Sequence, residues 1–227
     1  YFWGYKTAGL FQNQKEINDW IAAGNGIYQA DVKPGDVKYV DVNHDGVINA
    51  SDKVDLGNGL PKYTFGFNFS LAWKGFDLSA NFTGAAGFQI AQSYRDPSSS
   101  QANYSRRILK RWTGEGTSNE IPRVTYGDVG NWLFSDLYLQ DGDYIRLQNL
   151  TMGYDFKKLI SWKGLSKMRL YFQVQNLFTL TKYDGMDPEI GSFNGTDGNS
   201  SDSWVSGVDM GYYPHPRTFI VGLNLAF

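Results

Sequence analysis

The sequence contains no cysteine, which excludes disulfide bonds and thiolate metal sites. Charged residues make up only 19%, and the net charge of −2 gives no excess of positive charge that would indicate a nucleic acid partner. No apolar run approaches the roughly 20 residues of a membrane helix, so a membrane role would have to come through strands. The first residues, YFWGYKTAGLF, include neither an initiator methionine nor a basic-then-apolar leader. We therefore expect the chain to begin inside a larger protein or after processing.

Glycine and aromatic residues are abundant. The 227 residues include 26 glycines, and aromatic residues reach 16%. This composition indicates β-structure with many turns. The length allows one large domain or two small ones.

Apolar and polar residues alternate almost without error from position 63. One face carries Tyr63, Phe65, Phe67, Phe69, Leu71 and Trp73, and the other carries Thr64, Gly66, Asn68, Ser70, Ala72 and Lys74. Successive strand side chains point to opposite sides, so this pattern predicts a two-faced strand. Lys74-Gly75 then makes a tight turn, and the alternation resumes at Phe76, which predicts a hairpin.

Three more strands are predicted in YIRLQNLTMGYDF, KMRLYFQVQNLFTL and RTFIVGLNLAF. In the first of these, Ile145 and Leu147 are out of phase with Leu150, which predicts a bulge near Gln148–Asn149. On the five strands together we expect Phe67, Leu78, Phe172 and Leu223 to face lipid, and Asn68, Asn81, Gln173 and Asn224 to face a lumen.

The lengths of strands and connections distinguish two fold classes. These strands run about 11–14 residues, against the usual five or six of globular sheets. Short connections at Lys74-Gly75 and Lys157–Ser166 alternate with long ones at about 89–142 and 181–216. This is typical of an outer-membrane β-barrel, with short periplasmic turns and long extracellular loops. The alternative is a secreted β-sandwich, a carbohydrate-binding module with a dockerin-like calcium loop.

The barrel interpretation divides the chain in two. Residues 1–62 form an extracellular region with a short helix and a calcium-type loop, and residues 63–227 carry the membrane strands and the two long loops. The helix is predicted in NQKEINDWIAAG, where Asn13 and Glu16 suit a capping box and Gly24 ends the helix. Its apolar face is Ile17, Trp20 and Ile21. Aromatic residues at the strand ends, namely Tyr63, Trp73, Phe76 and Tyr154, suit the membrane interfaces.

The stretch DVNHDGVINASD has the spacing of a calcium-binding loop. Its predicted ligands are Asp41, Asn43 and Asp45 at positions 1, 3 and 5, the Val47 carbonyl at 7, Asn49 at 9 and Asp52 at 12. Gly46 stands at position 6, where the chain turns sharply. The departure is Asp52, where a bidentate Glu is usual. Oxygen ligands favour Ca²⁺ with a structural role, and the alternative is a turn rich in Asx residues.

Other polar groups allow weaker hypotheses. Arg106, Arg107, Lys110 and Arg111, on a second short helix predicted in ANYSRRILKRW, would meet an anionic sugar or form a solvated face. Asp184, Asp187 and Glu189 gather carboxylates, but such a local cluster suits turn formation better than glycoside hydrolysis, so we expect no enzyme. Trp112, Trp132 and Trp204 would stack on sugars or pack within the loops.

A series of motifs in this order carries a family resemblance. They are GLFQNQKEINDW, KPGDVKYVDVNHDGVINASD, FDLSANFTGAAGF, YIRLQNLTMGYDF, VQNLFTLTKYDGMDPE and GYYPHPRTFIVGLNLAF. Together they resemble the C-terminal part of SusC/RagA-like TonB-dependent outer-membrane transporters of Bacteroidetes.

The resemblance implies a 22-stranded barrel with an N-terminal plug, located in the bacterial outer membrane. It also implies import of oligosaccharides or peptides, with a SusD-like lipoprotein as a lid and TonB as the energy-coupling partner. This chain would supply five C-terminal antiparallel strands of that barrel. The plug and the TonB box would belong to the remaining part of the transporter.

Overall fold

A computed structural model describes residues 1–93, 106–125, 130–160, 162–190 and 206–227. Its strands, in chain order, are β1 (Phe2–Tyr5), β2 (Thr7–Leu10), β3 (Val37–Tyr39), β4 (Lys53–Gly57), β5 (Tyr63–Trp73), β6 (Phe76–Ala86), β7 (Gln89–Gln92), β8 (Leu139–Asp141), β9 (Tyr144–Asp155), β10 (Lys167–Thr181), β11 (Val208–Asp209) and β12 (Thr218–Ala226). Helix α1 spans Gln14–Ala22, and short 3-10 segments lie at Ala50–Asp52, Arg106–Lys110, Asp136–Tyr138 and Phe156–Lys158. The expected all-β class is confirmed. Within these ranges, the structure contains no helix of sufficient length and hydropathy to cross a membrane.

The chain divides into two compact units. The short-strand unit contains Tyr1–Gly59, Ile90–Gln140 and Ser192–Gly211. The five-strand unit contains Leu60–Gln89, Asp141–Gly191 and Tyr212–Phe227.

The five-strand unit is one antiparallel sheet in the order β12-β10-β9-β6-β5. Strands β5 and β6 form the predicted hairpin, in register from Tyr63↔Ala86 to Trp73↔Phe76. Lys74 and Gly75 both have positive φ, 49° and 98°, as the tightest two-residue hairpin turns require. The strand that begins at Tyr63 and the last strand of the chain are the two edges of the sheet.

The register keeps apolar side chains on one face across all five strands. Phe67 pairs with Phe82, Leu78 with Met152, and Leu170 with Leu223. These side chains do not pack against another layer of the unit: Phe67 is 59% exposed and Val221 is 72% exposed. An apolar face of this extent is unfavourable in water and suits contact with lipid. Lipid contact itself stays a prediction.

The predicted bulge lies at Gln148. Asn81 pairs with Asn149, whereas the next residue, Phe82, pairs with Leu147, so Gln148 has no partner on β6. The extra residue shifts the phase of β9 by one position. Leu147 therefore returns to the apolar face, which explains why it was out of phase in the sequence. On β10, residues 176–177 lie opposite the same point.

The short-strand unit has an internal core instead. Its pairings are β1 with β4 and β2 with β3, both antiparallel, and β11 with β7, which is parallel. The core cluster is Tyr5, Leu10, Val37, Tyr39 and Ile48, with Trp112, Leu133 and Leu137 packed against it. The sequence predicted only a helix and a calcium-type loop within residues 1–62. The structure adds four short strands that are too short to show a period.

Helix α1 forms where it was predicted. The Asn13 side chain accepts a hydrogen bond from the Glu16 N–H at 2.9 Å, and Gly24 ends the helix at φ 83°. On the predicted apolar face of the helix, Ile17 is buried, whereas Ile21 is 52% exposed, so the structure covers only part of that face. Trp20, in the second half of the helix, packs edge-on against Phe11 with ring centroids 6.1 Å apart.

Candidate functional site

The second face of the five-strand sheet is polar and carries a continuous row of amide side chains. The backbone register places one residue from each strand in this row: Asn68, Asn81, Asn149, Gln175 and Thr218. The neighbouring row contains Ser70, Ser79, Thr151 and Gln173, and its member on β12 is the apolar residue Ile220. Neither row contains a charged residue. The predicted lumenal residues Asn68, Asn81 and Gln173 are thus brought together on one surface.

Hydrogen bonds within the rows leave much of their capacity available. Asn81 Nδ2 donates to Asn68 Oδ1 at 2.5 Å, and Gln173 Nε2 lies 3.5 Å from Asn149 Oδ1. Each amide group has two donor hydrogens and a carbonyl oxygen, so a single contact does not saturate it. This surface suits hydroxyl or amide groups better than ions, because it supplies donors and acceptors without net charge.

An ion pair lies on the polar face near the β5–β6 turn. Arg169 on β10 reaches across β9 and donates to both carboxylate oxygens of Asp77 on β6, at 2.8 and 2.5 Å. Gly153 on the intervening strand makes room, because a Cβ there would lie 2.6 Å from the guanidinium. The pair is a bidentate contact that neutralises both charges locally.

At the opposite end of β9, two of the three carboxylates of the sequence hypothesis, Asp187 and Glu189, contact Arg146. The Arg146 guanidinium donates to Glu189 Oε2 at 2.7 Å and to Asp187 Oδ1. Both carboxylates are therefore engaged by a cation, an arrangement that favours a structural role. Hydrolysis by two carboxylates would need one of them positioned for the substrate.

Hydrogen bonds from backbone N–H groups to Asx side chains hold the turn of the calcium-type loop. Asp41 Oδ2 accepts from the Gly46 N–H at 2.7 Å, and Asp45 Oδ1 accepts from the Val47 N–H at 2.9 Å. Gly46 has φ 82°, which glycine adopts without strain. Asn49 Oδ1 accepts from the Ser51 N–H at 2.8 Å. These are Asx-turn contacts, the arrangement expected of the alternative interpretation.

Asp52 closes this loop from a fully buried position. Its oxygens accept from the Val42 N–H at 2.9 Å and the Asn49 N–H at 2.8 Å. Burial favours the neutral carboxyl, but these amide donors outweigh that effect and hold the pKa of Asp52 below its usual range. A negative charge is thus retained inside the loop.

Within the described ranges, no group of three or more acidic or histidine side chains lies close enough together to hold a metal ion. The predicted ligand set relies on Asn43, Asn49 and the Val47 carbonyl for half of its oxygens. Asp41 is only 3% exposed, and both of its oxygens accept backbone hydrogen bonds, at 3.3 and 2.7 Å. Carboxylate oxygens have further lone pairs, so these contacts and a cation are compatible. The calcium site therefore stays a prediction.

The basic cluster and the tryptophans lie in the short-strand unit. The predicted second helix is a 3-10 segment over Arg106–Lys110, and residues 102–105 lie outside the described residues. Arg107 Nη1 donates to Gln92 Oε1 at 3.3 Å. Trp112 packs against the core, whereas Trp132 is 44% exposed and lines a cavity of about 510 Å³. Trp204 lies outside the described residues.

Comparison with known proteins identifies relatives along the chain's full length. TonB-dependent receptor P3 of Formosa agariphila is 33% identical over 228 residues, which cover 100% of this chain and 22% of that protein. TonB-dependent receptor SusC of Bacteroides thetaiotaomicron is 29% identical over 205 residues, 88% of this chain and 18% of that protein. The chain is related to the SusC-like TonB-dependent receptors. No protein-family model matches it.

Solved structures agree on the fold. The RagAB peptide importer in its open-open state superposes with a TM-score of 0.67 at 21% identity, covering 100% of this chain and 22% of that one. The closed-closed state gives a TM-score of 0.64 at 22% identity. The chain thus spans about a fifth of the length of the receptors it matches.

These matches decide between the two fold interpretations. TonB-dependent receptors are outer-membrane β-barrel proteins, which confirms the expected bacterial outer-membrane localisation. The secreted β-sandwich is not favoured. The relatives are receptors and transporters rather than enzymes.

Proposed function

We propose that this chain forms part of the barrel wall of a TonB-dependent transporter that imports oligosaccharides or peptides. The observation that carries the proposal is the two-faced sheet, with one exposed apolar face and one polar face whose two central rows carry no charge, in a chain similar to TonB-dependent receptors from end to end. The apolar face would contact lipid. The polar face would line the lumen, as alternating strands of such barrels do.

The open edges of the sheet support a larger barrel. Edge strand β5 has 11 residues and leaves roughly five N–H and five C=O groups without a strand partner. Each would cost several kcal/mol in hydrocarbon, so two such edges would cost roughly tens of kcal/mol. We propose that β5 and β12 pair with strands of the remaining transporter. The plug and the TonB contact would lie in that remainder.

The polar face gives some guidance on substrate. Its amide and hydroxyl rows match the hydroxyl groups of a glycan and the backbone amides of a peptide equally well. The RagAB neighbour is a peptide importer, which supports the peptide class. The exposed Trp132 ring would stack on a sugar, which supports the glycan class. A SusD-like surface lipoprotein would bring either substrate to the barrel.

We also propose a structural Ca²⁺ at the 41–52 loop. The ligands would be Asp41, Asn43, Asp45, the Val47 carbonyl, Asn49 and Asp52. Support comes from the oxygen spacing, the turn at Gly46 and the retained charge of Asp52. A dication would let the three carboxylates converge and would fix the loop.

An uptake assay tests the transport proposal. A strain that lacks the receptor is complemented with the wild-type gene, and uptake of fluorescent oligosaccharides and oligopeptides is measured with and without TonB and the neighbouring lipoprotein. We expect TonB-dependent uptake of one substrate class, reduced when the lipoprotein is absent. Equal uptake with and without the receptor gene would contradict the proposal, and recovery of the protein in the secreted soluble fraction would favour the binding module.

A pair of adjacent substitutions sharpens the assignment of the lumen. Ser79 lies on the polar face of β6 and Ala80 on the apolar face. Ser79→Trp places a bulky ring in the proposed path and should slow uptake, whereas Ala80→Trp should leave the rate near wild type. The reverse order of effects would mean that the faces are exchanged.

A further inference from the structure

Arg146 is the most enclosed charge of the five-strand unit and joins several chain segments. Its side chain is 3% exposed and belongs to β9. Nε donates to Thr179 Oγ1 on β10 at 3.0 Å, Nη1 to Glu189 Oε2 at 2.7 Å, and Nη2 to Asp187 Oδ1. Each of the three guanidinium nitrogens thus donates to a different residue.

Asp187 extends the cluster to the far end of the same connection. Its Oδ1 also accepts from the Glu189 N–H at 2.9 Å. Its Oδ2 accepts from the His215 N–H at 3.1 Å and lies 3.0 Å from His215 Nδ1. Asp187 stands shortly after β10, and His215 stands shortly before β12. The start of the β10–β12 connection therefore contacts Arg146 directly, and its end contacts Arg146 through Asp187.

We propose that Arg146, Asp187, Glu189 and His215 form an electrostatic clamp that holds both ends of the β10–β12 connection against β9, and that protonation of His215 tightens it. The proposal concerns the shape of this connection and stands independently of which substrate is transported. Arg146 acts as the positioning residue, and His215 as the element that responds to pH.

Histidine is the side chain whose charge ordinarily changes between pH 5 and 8, and the charged groups that meet His215 and its partners are Asp187, Glu189 and Arg146. Burial favours the neutral form of Asp187, but the amide of Glu189 and the ring and amide of His215, with Arg146, hold the pKa of Asp187 below its usual range. Because that pKa is depressed, the contribution of the carboxylate is present above about pH 4 and is lost only in stronger acid. Tyr144, whose ring lies 5.7 Å from the Arg146 guanidinium, stays neutral in this range. A further ion pair at the start of this connection joins Lys182 to Asp141 at 3.9 Å.

Protonation of His215 changes the character of its contact with Asp187. Neutral imidazole makes an ordinary hydrogen bond, whereas imidazolium makes a charge-assisted one of roughly twice the strength. Histidine titrates near pH 6.5 when unperturbed. The imidazole is 40% exposed, so water reduces the gain without removing it. The clamp should therefore hold more firmly at pH 5.5 than at pH 7.5.

Hydrogen exchange of the Glu189 and His215 amides measures the stability of the clamp, because both amides donate to Asp187. The receptor is purified in detergent, and exchange of peptides that contain these amides is measured at pH 5.5 and 7.5, with rates corrected for intrinsic chemistry. We expect about three- to tenfold slower corrected exchange at pH 5.5. His215→Gln keeps the backbone donor and should abolish this difference. His44→Gln, the substitution of the only other histidine in the sequence, should preserve it.

Arg146→Gln supplies the second arm of the experiment. It should raise exchange at both amides at both pH values, because Asp187 and Glu189 lose their shared cation. A pH-independent wild type, or a His215→Gln variant with the wild-type difference, would overturn the proposal, and neither result depends on the receptor folding without Arg146. Substrate uptake is not a readout here, so failure of the clamp leaves the transport proposal intact, and the reverse also holds.

Discussion

The two units of this chain place their apolar side chains in opposite ways. In the short-strand unit, Leu10 and Val37 are fully buried within a core of their own. In the five-strand unit, Phe67 and Val221 are more than half exposed although their strands are fully formed. The first unit satisfies the hydrophobic effect internally, as a protein surrounded by water does. The second leaves one apolar face uncovered, and we propose that the outer membrane covers it.

The two units also differ in what holds them together. The sheet is a ladder of neighbouring antiparallel strands whose register is interrupted only at the bulge opposite Gln148 in the pairings of β9. The short-strand unit depends on side chains that join distant segments: Arg123 donates to both oxygens of the buried Asp36 at 2.7 and 3.1 Å, and Asn131 donates to the same carboxylate at 2.8 Å. Single substitutions should therefore affect the two units for different reasons.

The largest expected effect follows from the open edges of the sheet. Residues 1–227 expressed alone should aggregate in buffer, because two bare edges and an apolar face have no partner. The measurement is light scattering and chemical unfolding in buffer and in detergent. A monodisperse monomer that unfolds cooperatively without detergent would show that the five-strand sheet is stable in water, as the short-strand unit with its own core is expected to be.

The next effect separates a core from a lipid-facing surface. Leu10→Ala should destabilise the short-strand unit by about 2–5 kcal/mol, because a cavity remains in a packed core. Leu71→Ala, on the apolar face of β5, should cost less, since lipid fills the vacated space. Hydrogen exchange of each unit in the receptor under increasing urea measures both values. Similar losses at the two sites would show that Leu71 is packed against protein.

A charge placed on either face of one strand tests the orientation of the sheet. Phe67→Arg puts a cation at mid-depth on the apolar face and should cost about 2–4 kcal/mol, whereas Asn68→Arg should cost little. Thermal unfolding of the receptor in lipid vesicles gives the comparison. Equal losses would mean that the faces are misassigned.

The smallest effect concerns the 41–52 loop. If Ca²⁺ binds there, chelation should speed proteolytic cutting within residues 25–62 and leave the five-strand sheet intact. Calorimetry on the receptor checks the same point, with Asp45→Ala as the variant that should lose binding and Asp55→Ala as the control outside the ligand set. Absence of binding at millimolar Ca²⁺ would leave the loop as an Asx turn.

The sequence predicted the five-strand sheet well because the evidence is local. Strand boundaries at Tyr63 and Trp73, the turn at Lys74-Gly75 and the bulge at Gln148 follow from alternation and from its single break. The ligand spacing of the 41–52 loop is equally local. Whether those oxygens hold a cation depends on geometry and on solution conditions, which spacing alone does not fix.

Contacts across the sheet were not readable in the same way. The bidentate ion pair of Arg169 and Asp77 spans three strands and requires a glycine, Gly153, on the strand between them. In the sequence, Asp187 and Glu189 form only a local acidic cluster. Arg146 lies about 40 residues before them, so the sequence does not associate it with these carboxylates. The row of Arg146 otherwise contains the uncharged residues Thr83 and Thr179. A single arginine in such a row is the sequence signal that indicates a need for a carboxylate partner.

By itself, the sequence determined a sheet with two unlike faces, since the alternation of apolar and polar residues is written in consecutive positions. Only the tertiary structure decided how the short-strand unit folds and which distant charges meet. There the Leu10 N–H is satisfied by Asn119 Oδ1 at 2.9 Å, and Asp36 by Arg123 from a separate segment. Strands of two to five residues are too short for a period, and the partners of buried polar groups are determined by proximity in space. Such proximity exists only after the chain has folded.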